Sequence, residues 1–398
     1  MFDRRSFLRG LAAGAFALAT PSLSLAEAAR KYSRKAVKLV EKSVPIDMLG
    51  VITINDVEWD RWANSAAGMT KEELERFQAC GIKVFHHSIG LGGPDSFTEA
   101  LEFFAGTNGF VARYSDTFTR IATAADIDKL RDSKKVGILP GLQNSDHFRT
   151  PDDVKLFHDL GQRVSQLTYN SQNLLGCGST EREDCGITDF GAAIIQKMNE
   201  VGMVVDVSHC GERTTLEAFD LSKKPVAVTH SNCRALVNHP RLKTDDAIRK
   251  MAAKGGVMGI TGVRNFVKAD EPTTLDNVVD HIEHVAKLVG PQHVGIGTDC
   301  DLSGYDSLPP DQYKRLKGAY KSSYAFRDKI DIEGFDHPRK FFDLTEALIK
   351  RGFGDDDITG ILGGNFRRLL GQAWDVPPPA PKEEKKPEAP KPEEKKRG

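Results

Sequence analysis

The sequence predicts a (β/α)8 barrel of the TIM type with a C-terminal helical extension. Three observations carry this: eight apolar, β-like runs recur along the chain, helical patterns separate them, and polar residues gather where the runs end. The runs are S-V-P-I-D-M-L-G (43–50), I-K-V-F-H-H-S-I (82–89), V-G-I-L-P-G-L (136–142) and V-S-Q-L-T-Y-N (164–170). They continue with M-V-V-D-V-S-H (203–209), V-A-V-T-H-S-N (226–232), G-V-M-G-I-T (256–261) and H-V-G-I-G-T-D (293–299). Between them, stretches such as T-D-F-G-A-A-I-I-Q-K-M-N-E and T-D-D-A-I-R-K-M-A-A-K place apolar residues at helical spacing. A chain of 398 residues suits one such barrel with loop insertions, and a doubly wound open sheet is the competing arrangement.

The ends of the chain read differently. Residues 1–28 combine a charged start, Arg4 and Arg5 followed by Ser6, Phe7 and Leu8, a short apolar stretch and small residues near Ala26 and Ala28. This is the pattern of a twin-arginine export signal, and it predicts a periplasmic or cell-surface location. The apolar stretch falls short of the roughly 20 residues a bilayer span needs, so no stable transmembrane anchor is expected. Residues 29–43 read as a basic linker or short helix, and the barrel domain runs from 44 to 376. From Pro377 to Gly398 the chain is Pro/Lys/Glu low complexity with nothing apolar to bury, which predicts a disordered tail.

A formal net charge of −1 gives no reason to expect nucleic acid or an anionic membrane as partner. Small neutral or zwitterionic ligands remain, and a homodimer is open. Among the six cysteines no C-x-x-C spacing supports a structural zinc site. Cys177 and Cys185 share one loop, where a disulfide and two free thiols are both open, and Cys210, Cys233 and Cys300 read as small buried residues near strand ends.

In a barrel of this kind the C-terminal strand ends make the active face. That rule selects Asp47, His86, His87, Gln143, Tyr169, Asn170, His209, His230, Asp299 and Asp301. His209 and His230 are the imidazoles of a metal site, and Asp299 suits a carboxylate that carries a proton from water to a leaving amine.

On these residues the chain resembles the membrane (renal) dipeptidase family of the amidohydrolase barrels. The matching segments are D-V-S-H-C-G with His209, T-H-S-N-C-R-A-L with His230, H-P-R-L-K-T-D-D with Arg241, G-I-G-T-D-C-D with Asp299 and I-L-G-G-N-F-R-R with Asn365. The resemblance implies a hydrolase in which two zinc ions share a bridging carboxylate. It implies that His209 and His230 hold the second ion, that Arg241 grips the substrate carboxylate and that Asp299 transfers protons. A solvated surface charge is the plain alternative for Arg241.

Four residues depart from that pattern. Leu49 and Val51 stand where the first-metal histidine and aspartate belong, Gln143 replaces the bridging glutamate, and Tyr169 replaces a histidine that polarises the scissile carbonyl. The expectation is therefore a mononuclear zinc site on His209, His230 and a third ligand from Gln143, Asp299 or a neighbour, with two ions not expected. Tyr169 and Arg241 are the expected substrate contacts. His87, Asp146 and His147 are candidate substitute ligands, each more simply read as a satisfied polar residue. The function expected is hydrolysis of dipeptides or related small amides. The alternative is an altered barrel that binds small peptide-like molecules, or runs another reaction, without the two-zinc centre.

Overall fold

The computed structural model describes residues 31–376. The expected export signal and the Pro/Lys/Glu tail lie outside the described residues. The strands are β1 (Ile46–Asp47), β2 (Val84–Ile89), β3 (Phe118–Arg120), β4 (Val136–Leu142) and β5 (Val164–Gln166). They continue as β6 (Val204–Asp206), β7 (Ala227–Ser231), β8 (Val257–Ile260) and β9 (Val294–Ile296). All pairings between them are parallel, and the β2–β4 and β1–β9 pairings close eight of the nine into a ring. That closure excludes the open sheet.

β3 was not anticipated. It pairs only with the first half of β4, Phe118 beside Val136 and Arg120 beside Ile138, while β5 takes over from Gly141. Only Phe118 of its three residues is buried, so the sequence there offers no apolar run to read. The eight anticipated strands are present, β4 over its whole run and the other seven shorter than theirs. At their C-terminal ends the backbone leaves the ladder for side-chain partners: Leu49 N and Thr298 N both donate to the Asp47 carboxylate. Residues that build the mouth thus end the pairing early.

The helices between strands follow local rules. Thr70, Thr123, Thr150 and Thr274 each begin a helix with a reciprocal capping box to the residue three positions on. The helix Leu275–Val289 buries Val278, Val279, Ile282 and Val285 on one face against the strands. Residues Arg34–Ser43 take the short-helix form, capped by Ser33, with Leu39 and Val40 buried. The barrel interior is closed at its N-terminal end by the helix Asn365–Trp374. Its Phe366, Leu369 and Leu370 share one apolar cluster with Ile46, Val84, Leu139, Val164, Val204 and Val257. Asn365 belongs to this closure, donating to the carbonyls of Pro291 and Val294 (both 2.8 Å), and not to the active face.

Strand alternation sorts the histidines of β2. His86 turns into the barrel, where its Nε2 lies 2.1 Å from where a Cβ on residue 141 would be; only glycine at that position leaves room for the ring. His87 turns outward and packs against Trp59 and Phe103. His147 packs on Phe148 and Phe157 and bonds Gln162 (3.0 Å). Burial holds both rings neutral, His87 down to about 3 and His147 to about 4. Both are core residues, His87 Nδ1 accepting from Ile52 N (3.3 Å) while His147 Nδ1 is buried without a partner among the described residues. All six cysteines are free thiols, Cys177 and Cys185 included.

Candidate active site

The end of β6 and the end of β7 bring two imidazoles face to face. His209 Nε2 and His230 Nε2 are 2.9 Å apart, and both side chains are buried. Their outer nitrogens are each tied down. His209 Nδ1 lies 2.8 Å from Asn170 Oδ1, and His230 Nδ1 lies 2.8 Å from Thr229 Oγ1. Thr229 donates its own hydroxyl proton to Asp206 Oδ2 (2.6 Å), so toward His230 it accepts. Both Nδ1 atoms therefore carry the hydrogen, and both Nε2 atoms present bare lone pairs to each other. Burial, reinforced by the Arg241 charge, pushes both rings well below the ordinary histidine range, so protonation does not relieve the contact. Two bare lone pairs at this separation repel, and a cation shared between them removes the repulsion.

Asp206 fixes this arrangement. Its carboxylate accepts from Ser208 N (3.0 Å), Ser208 Oγ (2.6 Å), Thr229 N (3.0 Å) and Thr229 Oγ1, which clamps the end of β6 to β7. Asn170 holds a left-handed backbone, φ 60°. Such a conformation costs on the order of 1–3 kcal/mol in a non-glycine residue. Here it accompanies the bond from Asn170 to His209.

Arg241 is wholly buried, which removes the surface-charge alternative. One terminal nitrogen donates to the Ser208 carbonyl and the other to the His230 carbonyl (2.9 Å). Two of five N–H groups are thereby committed to the strand ends that carry the histidines, and Nε finds no partner among the described residues. A donor edge remains for a carboxylate.

Asp299 follows β9 with φ 64°, the same left-handed region. Burial pushes its carboxyl up to about 7, against the Arg241 charge, while nearby Asp47 raises it further and a bond from Tyr305 lowers it. A carboxyl poised there exchanges protons near neutrality. Tyr169 stacks on His209 with ring centroids 4.2 Å apart and 18° between planes. On the other side its ring lies 3.0 Å from where a Cβ on Gly90 would stand, so it crosses the mouth from β6 toward β2. Its hydroxyl is 2.7 Å from that of Tyr320. Tyr320, Tyr324 and Tyr305 belong to the segment after β9 that packs over the mouth with Phe266 and Phe326. Sequence reasoning missed them, although the spacing Y-D-S to Y-K-S-S-Y is unusually tyrosine-rich for a connection.

Leu49 and Val51 are buried aliphatic side chains, and Gln143 donates its amide to the Ser88 carbonyl (3.2 Å), leaving a neutral Oε1 without a partner. Among the described residues no three His, Cys, Asp or Glu side chains converge as ligands. Leu49 and Val51 offer no ligand atom to a first ion, and the facing imidazoles of His209 and His230 are the donors that could hold a metal. Asp146 stays with Asn144 and Gly93 in the loop after β4. Asp301 accepts from Ile54, Ser303 and Gly304 backbone nitrogens and holds loops together.

Comparison with known proteins places this geometry. The membrane dipeptidase (peptidase family M19) profile matches residues 36–316. The dipeptidase verJ of Clonostachys rogersoniana is 30% identical over 269 residues, 67% of this chain and 63% of its own. For the dipeptidase tcpJ of Claviceps purpurea the identity is 28%, over 66% of this chain and 57% of that one. The chain thus matches about 60% of the length of these curated relatives. An amidohydrolase from Pseudomonas aeruginosa superposes with a TM-score of 0.74 at 30% identity, covering 85% of this chain and 99% of the other. A metallopeptidase from Rhodobacter sphaeroides, solved with a phosphinate mimic of L-Ala-D-Ala, shares the fold at TM-score 0.65 and 17% identity, over 83% and 99%. By profile, sequence and fold, this chain belongs to the membrane dipeptidase family.

Proposed function

We propose that this protein is an exported hydrolase of dipeptides or related small amides that works with one zinc ion. The observation that carries the reading is the pair of bare, buried Nε2 atoms of His209 and His230, 2.9 Å apart. Gln143 Oε1, buried and unpartnered, is the third protein donor. When bound, the ion supplies Lewis-acid activation of water and of the scissile carbonyl. The remaining work belongs to the chain. Arg241 pairs its free donor edge with the substrate carboxylate and orients the peptide. Asp299 takes a proton from the attacking water and delivers it to the leaving amine, a role its elevated pKa suits. Tyr169, stacked on His209, borders the scissile group with its phenol. Export rests on the Arg4–Leu8 pattern, and cell fractionation checks it.

Metal analysis of the purified protein, with chelator-sensitive cleavage of a dipeptide library, tests the proposal. About one zinc per chain with chelator-sensitive turnover supports it; metal-free protein without turnover overturns it. The loss of ligands at Leu49, Val51 and Gln143 favours a second reading, a binder of peptide-like molecules. Stabilisation by dipeptides with no metal requirement would select that reading.

A further inference from the structure

The β2–β4–β5 side of the mouth carries buried polar atoms besides Gln143. His86 Nε2, Ser88 Oγ and Gln166 Oε1 are buried and have no partner among the described residues. Ser88 pairs in register with Gly141, over which the His86 ring lies, and the amide of Gln166 donates to the Gln143 carbonyl. The three atoms thus line one wall formed by β2, β4 and β5.

Their hydrogen-bonding sense is fixed by what each side chain already does. His86 Nδ1 lies 2.6 Å from the Met48 carbonyl, so it donates there and Nε2 is left as an acceptor. Gln166 spends its NH2 on the carbonyls of Gln143 and Thr168 (2.9 Å), which leaves only its oxygen. Ser88 offers a hydroxyl that accepts as readily as it donates. A buried polar atom left unpaired bears its desolvation cost uncompensated, and three on one wall have no packing rationale. The wall is uncharged and rich in acceptors, and what complements it is a small group with several N–H donors.

We propose that this wall binds the free α-ammonium group of the ligand. The proposal rests on the functional reading above only in placing a peptide in the mouth. Arg241 then presents donors to one end of a zwitterionic dipeptide while the β2–β4–β5 wall presents acceptors to the other. Polarity across the mouth sets the direction in which the peptide lies, and a blocked amino terminus is rejected because an acyl amide brings one donor instead of three.

The test uses the full chain as purified, a phosphinate mimic of an Ala–Ala dipeptide, and the same compound with hydrogen in place of the amino group. Calorimetry is expected to show at least tenfold weaker binding of the compound without the amino group. In Gln166→Met and in Ser88→Ala that ratio is expected to fall to threefold or less, and Gln166→Glu is expected to tighten binding of the amine alone. Ser88→Ala removes a single unpartnered oxygen and guards against a variant that fails to fold. Equal affinities in the wild type, or an unchanged ratio in both folded variants, overturn the proposal. Amine discrimination without dipeptide turnover would retain the wall and sink the hydrolase; turnover without discrimination would do the reverse.

Discussion

Asp299 and Asn170 are the residues at which a single side-chain change is most informative. The Asp299 carboxyl titrates near 7, above the roughly 3.9 of an unfolded aspartate, so the folded protein holds the proton more tightly. Its contribution to stability is therefore greatest below pH 4 and is lost as pH rises toward 7. Asp299→Asn should melt above the wild type at pH 8, with the difference vanishing near pH 4 in thermal scans. The same variant should lose about 10²–10⁴-fold in kcat, and the wild-type kcat/KM should rise with pH to a plateau with its inflection near 7. An activity that falls across that range would remove Asp299 as the base. Asn170→Ala leaves both imidazoles in place but frees the His209 ring. Metal affinity, read by competition with a chromophoric chelator, should weaken by about 10–100-fold.

The histidine pair and Asp299 were legible because each closes an apolar run, and a strand end in a barrel is a place where chemistry is held. The resemblance pointed to Arg241 as a carboxylate ligand and gave no hint of its bonds to the Ser208 and His230 carbonyls. Those bonds join residues distant in sequence. Ser88 and Gln166 carry no signal of their own, since a serine or glutamine becomes telling only once its neighbours are known to leave it unpaired. His87 shows the converse: its position beside His86 suggested a ligand, and the two-residue alternation of β2 turned it outward.

At the scale of elements, the anticipated strands are all present because each is a buried run long enough to read. β3 escaped because it borrows its place from β4 and has little apolar surface. The helix Asn365–Trp374 is the element on which the barrel interior depends most visibly. Phe366 is fully buried, and a Cβ on Gly295 of β9 would stand 2.3 Å from its ring. Phe366→Ala should cost about 3–5 kcal/mol in denaturant unfolding while leaving KM unchanged, because the cavity opens at the end away from the mouth. A loss below about 1 kcal/mol would mean that the closed end repacks.

For the whole molecule, the proposed zinc site ties stability to metal. An ion that binds only the folded chain raises its stability in proportion to the logarithm of its concentration. Full-length protein stripped with chelator should therefore melt lower than the zinc-loaded form, and titration back should saturate at one equivalent. Saturation at two equivalents would restore the two-ion centre that Leu49, Val51 and Gln143 argue against. Among the described residues no helix is long and apolar enough to cross a membrane.

The distribution of aromatic rings has an optical consequence. Tyr169, Tyr305, Tyr320 and Tyr324 surround the mouth, and the first and third of these share a hydroxyl contact. The tryptophans pack elsewhere: Trp59 against Phe110, Trp62 against Phe77, and Trp374 with the Arg163 carbonyl. Tryptophan emission thus follows the scaffold. Four of the seven tyrosines border the mouth, whereas Tyr32 stacks on Phe342 and Tyr114 bonds the Trp62 carbonyl, so ligand entry is watched in the part of the tyrosine difference spectrum that the mouth residues contribute.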